Sequence, residues 1–335
     1  MTVDHRFLTS QANSYFQQLG QGPPTVLLDG NNLMVRAGWF HKERVDNQGK
    51  PIGALLGLLK TLRALFGLGR LRGRAILTFD AGGSARRKAL NKSYKGGRGN
   101  VYSTLMPSCE GSGPGEARQA WLRQQLLGAE LFKLLGIPAI ALENVEADDI
   151  IAWLATLGPS LIVSGDGDFH QLLREDVCIY DPGRTELITV DSYSDILSGY
   201  YDGAPPNLKQ AALAKAIVGD KSDNLPGVPG VGWKGVKKLL ACGATVPSEL
   251  EEGSTRQHKL LAEHRSRVDA NFSLVDLSRP LLSHRAVRTL VAFTRAPRPK
   301  PNILEFSFKA GASGLGEFAL DPELIHVAHA AGETK

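Results

Sequence analysis

The sequence predicts a mostly parallel α/β sheet flanked by helices, followed by a smaller helical lobe. Short apolar runs stop at an acid at Asp29, at Asp80, and just before Asp166 and Asp168. Helix-period stretches separate those runs, and strand alternating with helix is the pattern of a parallel sheet. A Gly/Pro-rich hairpin, Gly219 to Gly232, then joins two further helical patterns.

Residues 1–23 are polar, with Gln-rich and Gly-Pro segments, and read as an extension with little intrinsic order. Thr25 to Leu28 is a short buried strand ended by Asp29, Gly30-Asn31-Asn32 reads as a turn, and Ile52–Leu68 is apolar enough for a helix. Ala75–Phe79 is a second strand, ended by Asp80. Tyr94 to Gly99 is basic and irregular, and Gly111 to Gly115 is a loop signal. Between Glu116 and Leu135 apolar residues recur at helical spacing, with Gly136 as the stop. Ile137–Leu142 is a third strand, and Glu146-Ala147-Asp148-Asp149 opens a helix. Leu161–Val163 and Val177–Tyr180 complete the sheet. The α/β domain thus covers residues 24–190 and the helical lobe residues 191–282. In that lobe Asn207 caps a helix over Leu208–Val218, a second runs from Lys234 to Ala241, and a last pattern covers Arg256–Leu277. The Pro-rich break at Ala296–Pro301 lies in a tail, 283–335, to which no role is assigned.

At 335 residues the chain can bury a sizeable core and form two lobes. Its 42% hydrophobic and 22% charged residues are those of an ordinary globular protein, and no apolar run reaches membrane-spanning length. The polar N-terminus is no secretory signal, so a cytoplasmic protein with no membrane contact is expected. Cys109, Cys178 and Cys242 lack metal-ligand spacing and read as reduced thiols. The net charge is only +5, but it is unevenly placed. Arg86, Arg87, Lys88, Lys92, Lys95 and Arg98 form one basic run, and Lys234, Lys237 and Lys238 another. Basic flanks around an acidic centre suit a metal-dependent enzyme acting on a polyanion.

The acidic centre comprises Asp29, Asp80, Glu146, Asp148, Asp149, Asp166, Asp168, Asp220 and Asp223. In a parallel sheet, ligands collect outside the carboxyl ends of the strands, where these residues would emerge. Three carboxylates within four residues repel one another unless a cation or hydrogen-bond donors hold them. Clustered Asp without His favours magnesium, with manganese as its substitute, over zinc. Two such ions about 4 Å apart support in-line phosphodiester hydrolysis. Lys95 and Arg98 are the candidates for transition-state stabilisation, and the Tyr94 ring for stacking on an unpaired base. Arg86, Arg87 and Lys92 would meet nucleic acid, as would the hairpin amides at Gly227, Gly230 and Gly232 with Lys234, Lys237 and Lys238. His170 reads as a packing or surface residue. No nucleophile elbow or Cys/His pair occurs.

In this order, Leu28-Asp29-Gly30-Asn31-Asn32, Phe79-Asp80-Ala81, Tyr94-Lys95-Gly96-Gly97-Arg98, Glu146-Ala147-Asp148-Asp149, Ser164-Gly165-Asp166-Gly167-Asp168 and Gly219-Asp220-Lys221-Ser222-Asp223-Asn224 resemble the 5′-nuclease family. That family contains flap endonucleases, phage 5′–3′ exonucleases and the 5′-nuclease domain of bacterial DNA polymerase I. The resemblance spans about residues 24–280 and implies a PIN-like 5′-nuclease fold with a helical arch at about 92–135. It implies Asp29, Asp80, Glu146 and Asp148 at a first metal, and Asp149, Asp166, Asp168 and Asp223 at a second, with Asp220 in an outer role. Tyr94 and Lys95 would start the arch. Gly219–Leu240 would be a helix–three-turn–helix gripping duplex DNA, with potassium on its carbonyls.

The implied function is a free-standing, monomeric, magnesium-dependent 5′–3′ exonuclease and flap endonuclease of replication and repair. Its substrates would be DNA with 5′ ends or flaps, and RNA–DNA hybrid. The alternatives are a PIN-like ribonuclease and a non-catalytic duplex-binding protein.

Overall fold

The computed structural model describes residues 5–96, 99–106, 114–201, 203 and 205–333. Five strands run parallel: β1 (Thr25–Asp29), β2 (Arg74–Ala81), β3 (Ala139–Glu143), β4 (Ser160–Val163) and β5 (Val177–Asp181). Their order is β3-β2-β1-β4-β5, and the short β6 (Glu186–Ile188) joins β5 antiparallel at the edge. Side chains alternate between two cores. Val26, Leu28, Leu77, Leu161 and Val163 face one, while Leu27, Ile162 and Ile179 face the other. All five parallel strands therefore point their carboxyl ends to the same edge.

Helices cover both faces. On the first lie α1 (His5–Gln18), α2 (Gly30–His41) and α3 (Gly53–Phe66). After the short α4 (Ala85–Leu90) and α5 (Gly99–Leu105), the long α6 (Pro114–Leu134) returns to that face, burying Ala117, Trp121, Leu131 and Phe132. The second face is packed by α7 (Ala147–Ala155) and α8 (Tyr193–Leu197). The helical lobe has its own core, built from α9 (Ala211–Val218), the two-residue strands β7 (Gly219–Asp220) and β8 (Leu225–Pro226), α10 (Trp233–Leu239), α11 (Arg256–Glu263) and α12 (Arg265–Val275).

Several elements differ from the sequence reading. Residues 5–18 are a helix, not a disordered extension: Ala12 and Phe16 are buried, and Asn13 donates to the Arg70 carbonyl at 2.6 Å and accepts from the Arg72 amide at 2.9 Å. Gly30-Asn31-Asn32 opens α2 rather than forming a turn. Asp29 caps that helix by accepting from the Asn32 amide at 3.1 Å, and a Cβ on Gly30 would sit 2.3 Å from Phe79. Only glycine lets α2 start that close to β2. The helix expected over Arg256–Leu277 is interrupted at His264, whose φ of −114° and ψ of 18° depart from helical geometry. Residues 114–134, assigned to the arch, pack on the sheet, because Trp121, Leu131 and Phe132 bury there.

The tail is also structural. It forms α13 (His284–Arg295), α14 (Ile303–Ala312), α15 (Gly316–Ala319) and α16 (Pro322–Glu333). Leu290 of α13 enters the second core. Phe306, Leu315, Phe318 and Leu324 are fully buried in the first. Each such burial contributes about 1.5–3 kcal/mol. Arg63–Asp321 at 2.9 Å and Arg70–Glu323 at 3.0 Å tie the tail to α3 and the turn after it. The Pro-rich break at residues 296–301 hid the helices after it, whose apolar faces belong to the first domain.

Candidate active site

Four carboxylates from four elements line one cavity of about 530 Å³ at the carboxyl edge of the sheet: Asp29, Asp80, Asp148 and Asp166. Asp29, Asp80 and Asp166 are held by local donors. Asp29 accepts from Ser164 Oγ at 2.8 Å as well as from the Asn32 amide. Asp80 accepts from Asn31 Nδ2 at 2.7 Å and from the Ala147 amide at 2.7 Å, which is the opening turn of α7. Asn31 is fixed in turn by Gln125 Nε2 at 2.8 Å, and Asn32 Oδ1 accepts from the Gly165 amide at 3.0 Å. Asp166 accepts from the Asp168 amide at 2.9 Å.

The arrangement keeps anions crowded. Burial, followed by the charges of Asp166 and Asp80, pushes the Asp29 carboxyl up to about 7 despite its two hydrogen bonds. Burial pushes Asp148 well above the usual carboxylate range, and Asp166, Asp29 and Asp80 add to that against the pull of Lys95. Carboxylates paying that electrostatic cost in one oxygen-rich cavity, among backbone amides and Asn side chains, fit a hard divalent cation.

Glu146 lies beside this group, buried at the start of α7. It accepts from Lys95 Nζ at 2.8 Å and the Tyr94 hydroxyl at 3.1 Å, and lies 3.4 Å from Arg87. Burial opposes its ionisation, but Lys95 and Arg87 outweigh that and hold the carboxyl below its usual range. Tyr94 also reaches Asp223 Oδ2 at 3.1 Å and is 4% exposed, its ring inside the lobe core. Base stacking by Tyr94 is therefore corrected: the ring is enclosed, and its hydroxyl connects two acidic groups. Lys95 lines the cavity. Arg98 lies outside the described residues.

A second acidic group consists of Asp168, Asp220 and Asp223, with one carboxylate oxygen from each lying within 4.8 Å of the others. Its centre includes Lys215, which the sequence reading missed. The ammonium pairs with Asp168 and with Asp220, the latter at 2.7 Å. Burial pushes Asp168 up to about 6 against the pull of Lys215. Asp220 goes the other way, to about 2: Lys215 and Ser222 overcome the effect of burial.

Two further assignments are corrected. Asp149 is fully buried on a different face of α7 from Asp148, in a two-pronged pair with Arg87 that includes an Nη2–Oδ1 contact of 3.1 Å. Asp149 also accepts from the Leu281 amide at 2.8 Å, and Arg87 donates to the Leu274 carbonyl at 2.9 Å. Arg87, 2% exposed, cannot meet DNA, and Asp149 has its oxygens engaged by protein donors. Together they pin the lobe exit to α7. Among the other basic residues, Arg86, Lys92, Lys234 and Lys238 are exposed and Lys237 half-buried. Arg86 donates to the Leu282 carbonyl at 3.1 Å. Gly230, with φ of 75°, and Gly232 are exposed in the hairpin. Gly227 answers a packing need, since a Cβ there would lie 1.9 Å from the Val218 carbonyl. His170 is buried among Tyr193, Tyr200 and Tyr201, with Nδ1 2.8 Å from the Tyr201 hydroxyl, as a packing residue should be.

Residues 24–197 match the family model of the 5′-3′ exonuclease N-terminal, resolvase-like domain. A 5′-3′ exonuclease of Buchnera aphidicola subsp. Acyrthosiphon pisum is 30% identical over 217 residues, 63% of this chain and 68% of that protein. The DNA polymerase I of Bacillus caldotenax is 30% identical over 249 residues, 72% of this chain; the match spans about a quarter (26%) of the polymerase. Among solved structures, zinc-bound T5 5′-exonuclease superposes with a TM-score of 0.60 at 20% identity, covering 91% of this chain and 99% of that one, which establishes a shared fold. With the acidic edge, the lysine at its rim and the hairpin lobe in this order, the chain belongs to the 5′-nuclease family.

Proposed function

We propose that this protein is a magnesium-dependent 5′ nuclease that hydrolyses phosphodiester bonds of DNA, at 5′ ends and at 5′ flaps, in replication and repair. The observation that carries this reading is the convergence of Asp29, Asp80, Asp148 and Asp166 on one cavity that Lys95 also lines. These four residues would hold the first divalent ion with Glu146 beside them, and Asp168, Asp220 and Asp223 a second. When bound, such ions lower the pKa of a water and neutralise charge on the leaving oxygen. A divalent occupant is supported by the zinc-bound T5 5′-exonuclease, which shares the fold.

The remaining work belongs to the chain. Lys95 donates hydrogen bonds to the phosphate oxygens and stabilises the negative charge that builds on them, and Glu146 holds its ammonium at 2.8 Å in the resting state. Arg98 follows three residues later as the companion cation. The exposed amides around Gly230 and Gly232, with Lys234 and Lys238, bind duplex backbone without reading bases. RNA–DNA hybrid presents the same phosphates and is a further substrate. The test is a 5′-labelled flap duplex incubated with and without magnesium, with single-stranded RNA in parallel. Magnesium-dependent release of a 5′ product from the flap supports the reading; cleavage of the RNA alone refutes it.

A further inference from the structure

Two turns, one at Ser93–Lys95 and one at Asp220–Asn224, clasp each other beside the cavity. The Lys95 amide donates to the Asp223 carbonyl at 3.0 Å, and Asn224 Nδ2 donates to the Ser93 carbonyl at 3.0 Å. Lys95 has φ of 53° and Asn224 has φ of 58°. Asparagine enters that left-handed region readily; lysine does so at a cost. The Lys95 backbone is therefore held from outside, by a turn whose Asn224 lies 131 residues after Ser93. That turn is itself rigid, since Asp220 accepts from both the Ser222 amide and its hydroxyl at 2.7 Å. A lysine released from the clasp would relax toward negative φ, which redirects its Cα–Cβ bond and carries its ammonium off Glu146.

We propose that Asn224, which itself lines the cavity, is a positioning residue that keeps Lys95 aimed at the scissile phosphate. This rests on the reading of Lys95 as the cation that meets the phosphate. Because Asn224 leads directly into β8 and the Gly227–Gly232 hairpin, the same short segment would link duplex grip to the aim of the lysine.

The test uses N224G, which keeps access to positive φ but removes the amide, and N224D, which keeps the shape but cannot donate to Ser93. The full-length variants are compared with K95A in single-turnover cleavage of the 5′-flap duplex at saturating magnesium. DNA affinity is measured in calcium, and the thermal midpoint serves as the folding control. Both Asn224 variants should cleave about tenfold more slowly, a fraction of what 1 Å of misplacement can cost. Affinity and thermal midpoint should stay at wild-type values. Combining N224G with K95A should add nothing to the loss from K95A alone. Multiplying losses, or weaker DNA binding at an unchanged rate, would overturn the positioning role while leaving Lys95 in place. Wild-type cleavage by K95A would instead remove the role of the lysine, and this inference with it.

Discussion

The two acidic groups of this site are built on opposite electrostatic principles. In the first group Asp29, Asp80 and Asp166 accept from neutral donors, namely backbone amides, Asn31 and Ser164, while Lys95 pulls on Asp148 from the rim. Burial, and after it the mutual repulsion of these carboxylates, raises the Asp29 and Asp148 carboxyls in the folded state. At Asp168 and Asp220 the chain supplies its own cation, Lys215. The first group is preorganised for an external ion. The second must move Lys215 aside or share its oxygens before an ion can enter. The two groups thus differ in more than their number of carboxylates; what counts is how much positive charge the fold already supplies there.

The largest expected effect tests that contrast directly. D148A or D166A should abolish flap cleavage while binding of the duplex in calcium persists, because the proposed duplex grip lies in the other lobe. D220A, whose carboxylate already answers Lys215, should leave measurable turnover. Abolition by all three variants, in the same assay, would erase the distinction between the groups. Next in size is K215A. Removing one partner of a buried ion pair costs about 3–5 kcal/mol, since Asp168 and Asp220 lose their counter-charge. Magnesium should then raise the thermal midpoint of K215A more than that of the wild type, because an ion replaces the lost ammonium. Equal magnesium shifts in differential scanning fluorimetry would place Lys215 outside the second site. R87A should cost a similar 3–5 kcal/mol by leaving Asp149 uncompensated, with no magnesium rescue, which separates a structural acid from its neighbour Asp148.

That neighbouring pair also shows what a sequence can and cannot tell. Strand ends with acids were legible because period, direction and the parallel rule place every carboxyl terminus on one edge, and Asp29, Asp80 and Asp166 do converge there. Asp148 and Asp149 look alike in one dimension, yet a step of one residue turns a side chain by about 100° on a helix, so one faces the cavity and the other the buried Arg87. Basic residues were read as a surface run, and Arg87 could not be told from Arg86 without knowing that α4 buries one face. Residues 5–18 and 303–333 were illegible for another reason. Their apolar faces, with Phe16, Phe306 and Phe318, are short and complete a core whose other half lies far away in the chain. Lys215 escaped because a lone lysine on a mostly apolar helix carries no motif.

The smallest effect, in pH, sharpens the comparison most finely. The Asp29 carboxyl titrates near 7 in the folded protein, whereas an unfolded aspartate titrates near about 3.9. Between those values the folded state binds more protons, so stability in chelator must fall as pH rises through that window. Asp168, raised to about 6, acts in the same sense below that. His170 acts in the opposite sense: burial lowers it to about 4, and its contribution grows until pH passes the unfolded value near about 6.5. Asp220, at about 2, titrates well below. From pH 6.5 to 8 the first group is therefore left to dominate, with a loss on the order of 1 kcal/mol from Asp29 and a further loss from Asp148. A divalent ion fixes those carboxylates in their charged form, so magnesium should cancel the fall and release protons on binding. Thermal midpoints at pH 6.5 and 8, in chelator and in magnesium, read this directly. A midpoint in chelator that holds steady or rises across that interval would mean that burial and crowding do not hold the first group above the usual carboxylate range, and the contrast between the two acidic groups would have to be rebuilt.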